Sequence, residues 1–410
     1  MNILSIETSC DETGISVVRQ ESRTPKITLL GNALASQIEL HAQYGGVFPA
    51  MAKRAHAEKI IPLTIEALKQ AGLLIESTST LGDDKRKEIE SLCVREAEMI
   101  EVLVEFFNVW QKPDLDYIAV TVGPGLEPAL WVGINTARVL GSMWNIPLIP
   151  INHMEGHVVT AALEEVREVS TQKDGPSEKR VYVLKELNFP VLSLLVSGGH
   201  TELVVAQGYG QYEKIGQTRD DAVGEAFDKV ARMLGLPYPG GPAVSKLAAS
   251  FRAKGVENPF TLPRPMLHSG DYDFSYSGIK TAALYTVRDL TENNSRELTE
   301  EEKMALAAAF EDAAIEVLVK KTIRAAEEYG VRTIIVGGGV AGNTYLKDNL
   351  TRTVLVRLPQ VTVLFPEAWL ATDNAVMIAV AAVARIQAGN MSTELPENLK
   401  ANGNLSIAAT

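Results

Sequence analysis

Asn2-Ile3-Leu4-Ser5-Ile6-Glu7-Thr8-Ser9-Cys10-Asp11-Glu12-Thr13-Gly14-Ile15-Ser16-Val17-Val18 is two apolar runs joined by a polar, hydroxyl-bearing turn. The pattern predicts a β-hairpin. Val191-Leu192-Ser193-Leu194-Leu195-Val196-Ser197-Gly198-Gly199-His200-Thr201, continued by Leu203-Val204-Val205-Ala206, repeats the plan. Such tips can aim backbone N–H groups and hydroxyls at an anion. The recurrence predicts two similar α/β halves around a cleft; two unrelated hairpins are the alternative.

Two further strands run into glycine turns. Tyr117–Val122 precedes Gly123-Pro124-Gly125, and Thr333–Val336 precedes Gly337-Gly338-Gly339. Each is followed by a helix-like segment, Ala129–Trp144 and Asn343–Leu350. A glycine turn between strand and helix lets a ligand approach the backbone and presents a helix N-terminus to negative charge. Long helices are expected at Pro49–Ala71, Asp221–Leu234, Thr299–Tyr329 and Asp373–Ile386, the last with Thr372 as N-cap.

His153-Met154-Glu155-Gly156-His157 holds two of the six histidines. Four residues apart on a helix, both rings share one face and can share one divalent metal. A capped or solvated face is the other reading. The zinc-protease helix pattern does not fit, because there a Glu follows the first His directly. Leu148–Asn152 reads as a strand ending in a helix N-cap, which puts the pair at a strand's carboxyl end, where α/β folds bind ligands.

The 410 residues, 46% hydrophobic and 22% charged, suit a globular protein of two or three domains. Net charge is -12, which argues against a general nucleic-acid binder. Lys246–Arg288 is nonetheless locally basic, with Lys246, Arg252, Lys254, Arg264, Lys280 and Arg288 against Glu257, Asp271 and Asp273. This stretch is a candidate RNA surface. Cys10 and Cys93 are too few for a disulfide framework, so a reducing compartment is expected. With no signal peptide seen and no apolar run of about 20 residues, a cytoplasmic location without membrane contact is expected.

Two segments read as appended. Residues 75–113 carry a charged amphipathic helix whose stripe is Ile89, Leu92, Glu96, Ile100, Leu103, Phe107 and Trp110. That stripe is expected to pack on its own domain. Residues 165–188 contain a surface loop around Thr171–Ser177. The polar tail after Gly389 is expected to fray.

Taken together, these motifs resemble the tRNA N6-adenosine threonylcarbamoyltransferase family, once called glycoproteases. The matching stretches, in order, are Ser5–Thr13, His41–Val47, Gly123–Leu126, Asn152–His157, Leu195–Thr201, Asp220–Lys229, Tyr238–Pro242, Asp273–Thr281, Gly338–Asn343 and Thr372–Asn374. His200 makes the match look bacterial. Departures are Glu127-Pro128, Gly342 and Ala375, where other residues are usual.

The resemblance implies an actin-like, sugar-kinase-like α/β fold of two duplicated domains around a nucleotide-binding cleft. It suggests residues 1–152 as the first half, with the helical insertion near 75–113. Residues 153–390 form the second half, with metal and nucleotide motifs and the loop at 165–188. The tail, 391–410, would return to the first half. The implied reaction moves a threonylcarbamoyl group from threonylcarbamoyl-AMP to N6 of adenosine 37 in tRNA, releasing AMP. One divalent metal, iron or zinc, maps to His153, His157 and Asp373. Substrate and nucleotide contacts map to Leu195, Val196, Ser197, Gly198, Gly199, Asp228, Gly241 and Asn343, with ATP or ADP able to use the same cleft. Asp11 or Glu12 would take the amine proton. Implied partners are tRNA, an upstream threonylcarbamoyl-adenylate synthase, an inactive paralogue and a small ATPase.

Without the resemblance, Asp373 is also a plain first-turn helix acid, Asp228 a solvated helix position and Cys10 a small apolar filler. Rival functions are a phosphotransferase of the same fold, a metalloprotease and a non-catalytic binding subunit. The His-His-Asp set separates the transferase reading from the first and last.

Overall fold

Seven strands form the first sheet: β1 (Asn2–Glu7), β2 (Glu12–Gln20), β3 (Lys26–Ser36), β4 (Tyr117–Gly123), β5 (Leu148–Asn152), β6 (Leu163–Val166) and β7 (Val181–Leu184). Their order is β5-β4-β1-β2-β3-β7-β6. β1 pairs parallel with β4, and β4 with β5, while β1–β2–β3 run antiparallel. The computed structural model describes residues 1–21, 24–42, 44, 46–166, 180–291 and 296–409; the expected loop at Thr171–Ser177 lies outside them.

Alternation along β1 divides its side chains between two covered faces. Leu4 and Ile6 join a core with the helices Pro49–Ala71 and Glu127–Trp144. Ser5 faces the other way and donates to the Ala375 carbonyl at 2.7 Å. The helix on that face, Ala375–Gln387, is apolar nearly all round, and every residue from Ala375 to Arg385 is buried, as expected for a helix covered on all sides.

The second sheet has five strands: β8 (Val191–Val196), β9 (Thr201–Gly208), β10 (Gln211–Gln217), β11 (Thr333–Gly337) and β12 (Thr362–Leu364), ordered β10-β9-β8-β11-β12. β8–β9 is an antiparallel hairpin, and β8–β11–β12 run parallel. The same order, β3-β2-β1-β4-β5, forms most of the first sheet. The two predicted hairpins are thus corresponding parts of a repeated α/β unit.

The compact units are Met1–Glu186 with Asp373–Thr410, and Leu187–Thr372. This division differs from the expected 1–152 and 153–390. β6 and β7 extend the first sheet beyond residue 152, and the Ala375–Gln387 helix covers that sheet's second face. The tail does not fray: Leu399 and Ile407 are buried, Glu394 bridges Leu148, and Asn402 N–H donates to the Val122 carbonyl.

The appended region is two helices, Asp83–Leu92 and Ile100–Val109, where a single one was expected. Between them Glu96, 1% exposed, accepts from Asn135 Nδ2 and pairs with Lys53. A buried carboxylate must be paired, and the break brings Glu96 to its partners. Leu103, Phe106 and Phe107 are buried in the first core, the two phenylalanines against Trp144. Leu103→Ala is therefore expected to destabilise the protein by about 2–5 kcal/mol, read by chemical denaturation.

In the second unit, Glu300–Glu328 starts with a capping box of Thr299 and Glu302. Asp220 anchors the start of Ser277–Thr291: it accepts from the Ser275 and Ser277 hydroxyls and from the N–H groups of Tyr276 and Ser277. Burial alone would raise this carboxyl, but those donors hold it below its ordinary value. Its contribution is full above the unfolded carboxyl's pKa and is lost as pH falls through the lower folded value. Asp220→Asn should cost on the order of 1 kcal/mol at pH 7 and flatten stability against pH below about 4.

Candidate functional site

β5 ends at Asn152, whose side chain accepts from Met154 N–H and starts the helix His153–Thr160. His153 and His157 stand one turn apart, both buried, with ring centroids 4.8 Å apart and planes at 88°. Asp373 comes from a distant segment. It does not lie in a helical first turn, as expected. Asn374 is the N-cap, accepting from Met377 N–H, and the helix begins at Ala375. Asp373 is left in the approach to the helix, free to turn its carboxylate towards the histidines.

Asp373 Oδ1 lies 3.1 Å from His157 Nε2 and 3.4 Å from His153 Nε2. The three candidate ligand atoms all lie within 4.8 Å of one another. Two imidazoles and one carboxylate suit iron or zinc and leave coordination positions open. All three residues belong to the first unit; they were expected to close a site across a cleft.

Two contacts bring these segments together. An added Cβ at Gly156 would lie 2.8 Å from Met377 Cγ, so only glycine allows this approach between the helices. Alongside, Glu155, fully buried, pairs with Arg385, whose Nε donates to Oε2 at 2.8 Å.

His153 sits between Glu7 and Asp373. Burial opposes its charge, yet the two carboxylates hold it well above its ordinary value in the metal-free protein. Burial likewise opposes ionisation of Glu7 and Asp373, but His153 draws both below their usual range. Glu7 escaped the sequence reading. Its only signal was an acid closing an apolar strand beside a hydroxyl-rich turn.

Asp11 and Glu12 occupy the β1–β2 tip. Burial, then the charges of Asp373 and Asp11, push Glu12 up to about 10. It is therefore a neutral acid at pH 7 when no cation is present. The Cys10 thiol is also raised by burial, which disfavours a nucleophilic thiolate. His56 braces the tip: its Nε2 donates to the Cys10 carbonyl at 3.0 Å and its Nδ1 lies 2.7 Å from Thr13 Oγ1.

The remaining candidates lie in the second unit. Leu195 and Val196 are fully buried in β8, so their side chains do not reach a ligand. At the exposed tip, Ser197 Oγ accepts from the N–H groups of Gly199 and His200. Gly338 has φ +90°, and a Cβ there would stand 2.4 Å from the Val196 carbonyl oxygen. The tip and the triple-glycine turn thus touch. Asp228 Oδ1 accepts from Gly240 N–H at 2.7 Å, beside Gly241 at the start of the Gly240–Arg252 helix. Asn343 is committed within the protein: Oδ1 accepts from Leu346 N–H, and Nδ2 donates to Ser245 and to buried Glu311. The sequence reading missed both of those partners.

A family model described as tRNA N6-adenosine threonylcarbamoyltransferase matches residues 28–80 and 94–380. A protein of that name from Nitrosospira multiformis is 40% identical over 389 residues, covering 95% of this chain and 92% of the relative. One from Ralstonia pickettii is 42% identical over 388 residues, with the same two shares. Among solved structures, full-length HypF in a phosphate- and nucleotide-bound form aligns with TM-score 0.51 at 12% identity, covering 95% of this chain and 56% of that one. This last likeness is one of fold alone, the actin-like, sugar-kinase-like fold. By motif order, repeated topology and sequence identity along nearly its whole length, the chain belongs to the tRNA N6-adenosine threonylcarbamoyltransferase family.

Proposed function

We propose that the chain transfers the threonylcarbamoyl group of threonylcarbamoyl-AMP to N6 of adenosine 37 in tRNAs reading codons that begin with A. The N6–carbon bond forms, the carbon–oxygen bond of the mixed anhydride breaks, and AMP leaves with the electron pair. The observation that carries this reading is the His153–His157–Asp373 cluster in a chain of this family.

In this reading His153, His157 and Asp373 hold an iron or zinc ion. When bound, the metal supplies Lewis acidity against the charge that builds on the carbamoyl and phosphate oxygens. The Ser197 hydroxyl and Gly198 N–H offer donors to phosphate with Gly199 shaping the tip, Leu195 and Val196 fix the strand that carries them, and Asp228 and Gly241 suit the nucleoside. Asn343 supports the glycine turn through Ser245 and Glu311. Asp11 or Glu12 receives the N6 proton. The target base lies in a single-stranded loop, so presenting it costs little unstacking.

The tRNA surface expected at Lys246–Arg288 stays a proposal, and its cations are largely paired within the chain. Arg252 pairs with Glu311 and Asp312, Lys254 with Glu301, Arg264 with Glu316, and Lys280 with Asp221. Cations already neutralised within the chain offer phosphate little net charge. An upstream adenylate synthase, an inactive paralogue, a small ATPase and a cytoplasmic setting complete the proposal. Among the described residues, no helix is long and apolar enough to cross a membrane.

The test is mass spectrometry of tRNA nucleosides after incubation with threonine, bicarbonate, ATP and the adenylate-forming synthase, with and without candidate partners. The expected product is threonylcarbamoyl-adenosine, lost when this chain is omitted. No product under any combination would overturn the reading. ATP consumption with a small hydroxyl acceptor would favour a phosphotransferase instead.

A further inference from the structure

We infer that Glu7 is a positioning residue for the metal site, fixing which nitrogen of His153 carries hydrogen and which faces the metal. The inference rests on the metal reading above. Glu7 closes β1 and its side chain is fully buried. Its Oε1 accepts from Ser9 N–H at 2.6 Å. Its Oε2 accepts from Thr121 Oγ1 at 2.5 Å and lies 3.2 Å from His153 Nδ1.

An ionised carboxylate can only accept, so Nδ1 must carry the hydrogen of the neutral ring. Nε2 then keeps its lone pair, on the side where Asp373 Oδ1 lies 3.4 Å away. Ser9 Oγ, 3.1 Å from Nδ1, is placed to share the same hydrogen. A carboxylate behind a ligating histidine fixes its tautomer, orients its ring and raises its basicity.

His157 is held differently. Its Nε2 is 3.1 Å from the same Asp373 oxygen, but its Nδ1 is buried without a hydrogen-bond partner. The two histidines are therefore unequal: on the side away from Asp373 a carboxylate holds the ring of His153, whereas the corresponding nitrogen of His157 has no such partner. Among the described residues, Glu7 is also the one carboxylate within hydrogen-bond reach of His153 on the side away from Asp373.

A purely structural role is the competing account, because Glu7 also ties Ser9 to Thr121. Two variants of the full chain separate the accounts. Glu7→Gln keeps the shape but turns an amide NH2 towards a donor on one side or the other, Ser9 N–H or the Thr121–His153 pair. Thr121→Val removes a donor to Glu7 but leaves the carboxylate facing His153. Metal-free protein is titrated with Co2+, read by its absorption spectrum, and the thermal midpoint of each metal-free variant is measured beside it.

Glu7→Gln is expected to weaken Co2+ binding by about 10–100-fold and to change the spectrum, with Thr121→Val within about threefold of the parent. Glu7→Asp, which keeps the charge but withdraws it, should fall between and serves if Glu7→Gln does not fold. Parental Co2+ affinity and spectrum in Glu7→Gln, or in Glu7→Asp where that variant serves, would overturn the inference. Equal weakening by Thr121→Val would overturn it too, since packing of the network would then be the cause. A parent protein that binds no Co2+ would sink the metal reading itself, and the Glu7 role with it.

Discussion

His153→Ala is expected to abolish metal binding and threonylcarbamoyl transfer together. The residue supplies one of three candidate ligands, and its removal takes away the imidazole that faces both Glu7 and Asp373. Affinity for zinc or iron should fall by more than the 10–100-fold typical of losing an outer partner, and transfer should fall to background. His153 is also buried between Glu7 and Asp373, so the metal-free variant leaves two carboxylates facing an alanine cavity. Stability should drop measurably, by about 1–3 kcal/mol. His153→Gln, which keeps polar volume, should recover part of that stability but none of the transfer. Elemental analysis, denaturation and the nucleoside assay on both variants decide the matter. Transfer at the parental rate by metal-free His153→Ala would sink the ligand assignment.

Arg385→Met is expected to have the largest effect on stability. It removes the guanidinium paired with Glu155, whose side chain is fully buried and from which the Arg385 nitrogens lie 2.6 and 2.8 Å away. Breaking a buried pair from one side typically costs about 3–5 kcal/mol. The damage should reach the metal, because this pair and the Gly156–Met377 contact hold the two-histidine helix against the one that follows Asp373. Metal affinity should therefore fall although Arg385 is no ligand. Replacing both partners, Glu155→Leu with Arg385→Met, should restore most of the stability, since hydrophobic substitutes for buried ion pairs are often neutral or better. A single variant with the parental denaturation midpoint would show that Glu155 is not left uncompensated.

Much of this was legible in the residues. Apolar runs broken by hydroxyl and glycine turns gave both hairpins and the strands before Gly123 and Gly337, because strand patterning and turn chemistry are local properties. Pro49–Ala71 was placed to the residue, with Pro at its start and Gly72 in the left-handed region at its end. The His153/His157 spacing carries its own geometry, since residues four apart on a helix must share a face. The motif series then named the family, and the comparisons agree.

Four decisions belonged to the tertiary structure. Asp373 could be read as a helix acid until Asn374 took the cap and left its carboxylate beside two imidazoles. The basic stretch Lys246–Arg288 read as a row of free cations, but acids from the Glu300–Glu328 helix and Asp221 pair with most of them. The single amphipathic helix expected near Glu96 became two, since Asn135 and Lys53 lay elsewhere in the chain. Glu7 gained meaning only when β4 brought Thr121 and the His153–Thr160 helix brought an imidazole to the end of β1. Local pattern fixes what a residue prefers, but its charge, its hydrogen-bond role and its access to water depend on groups tens to hundreds of positions away, which only packing brings into contact.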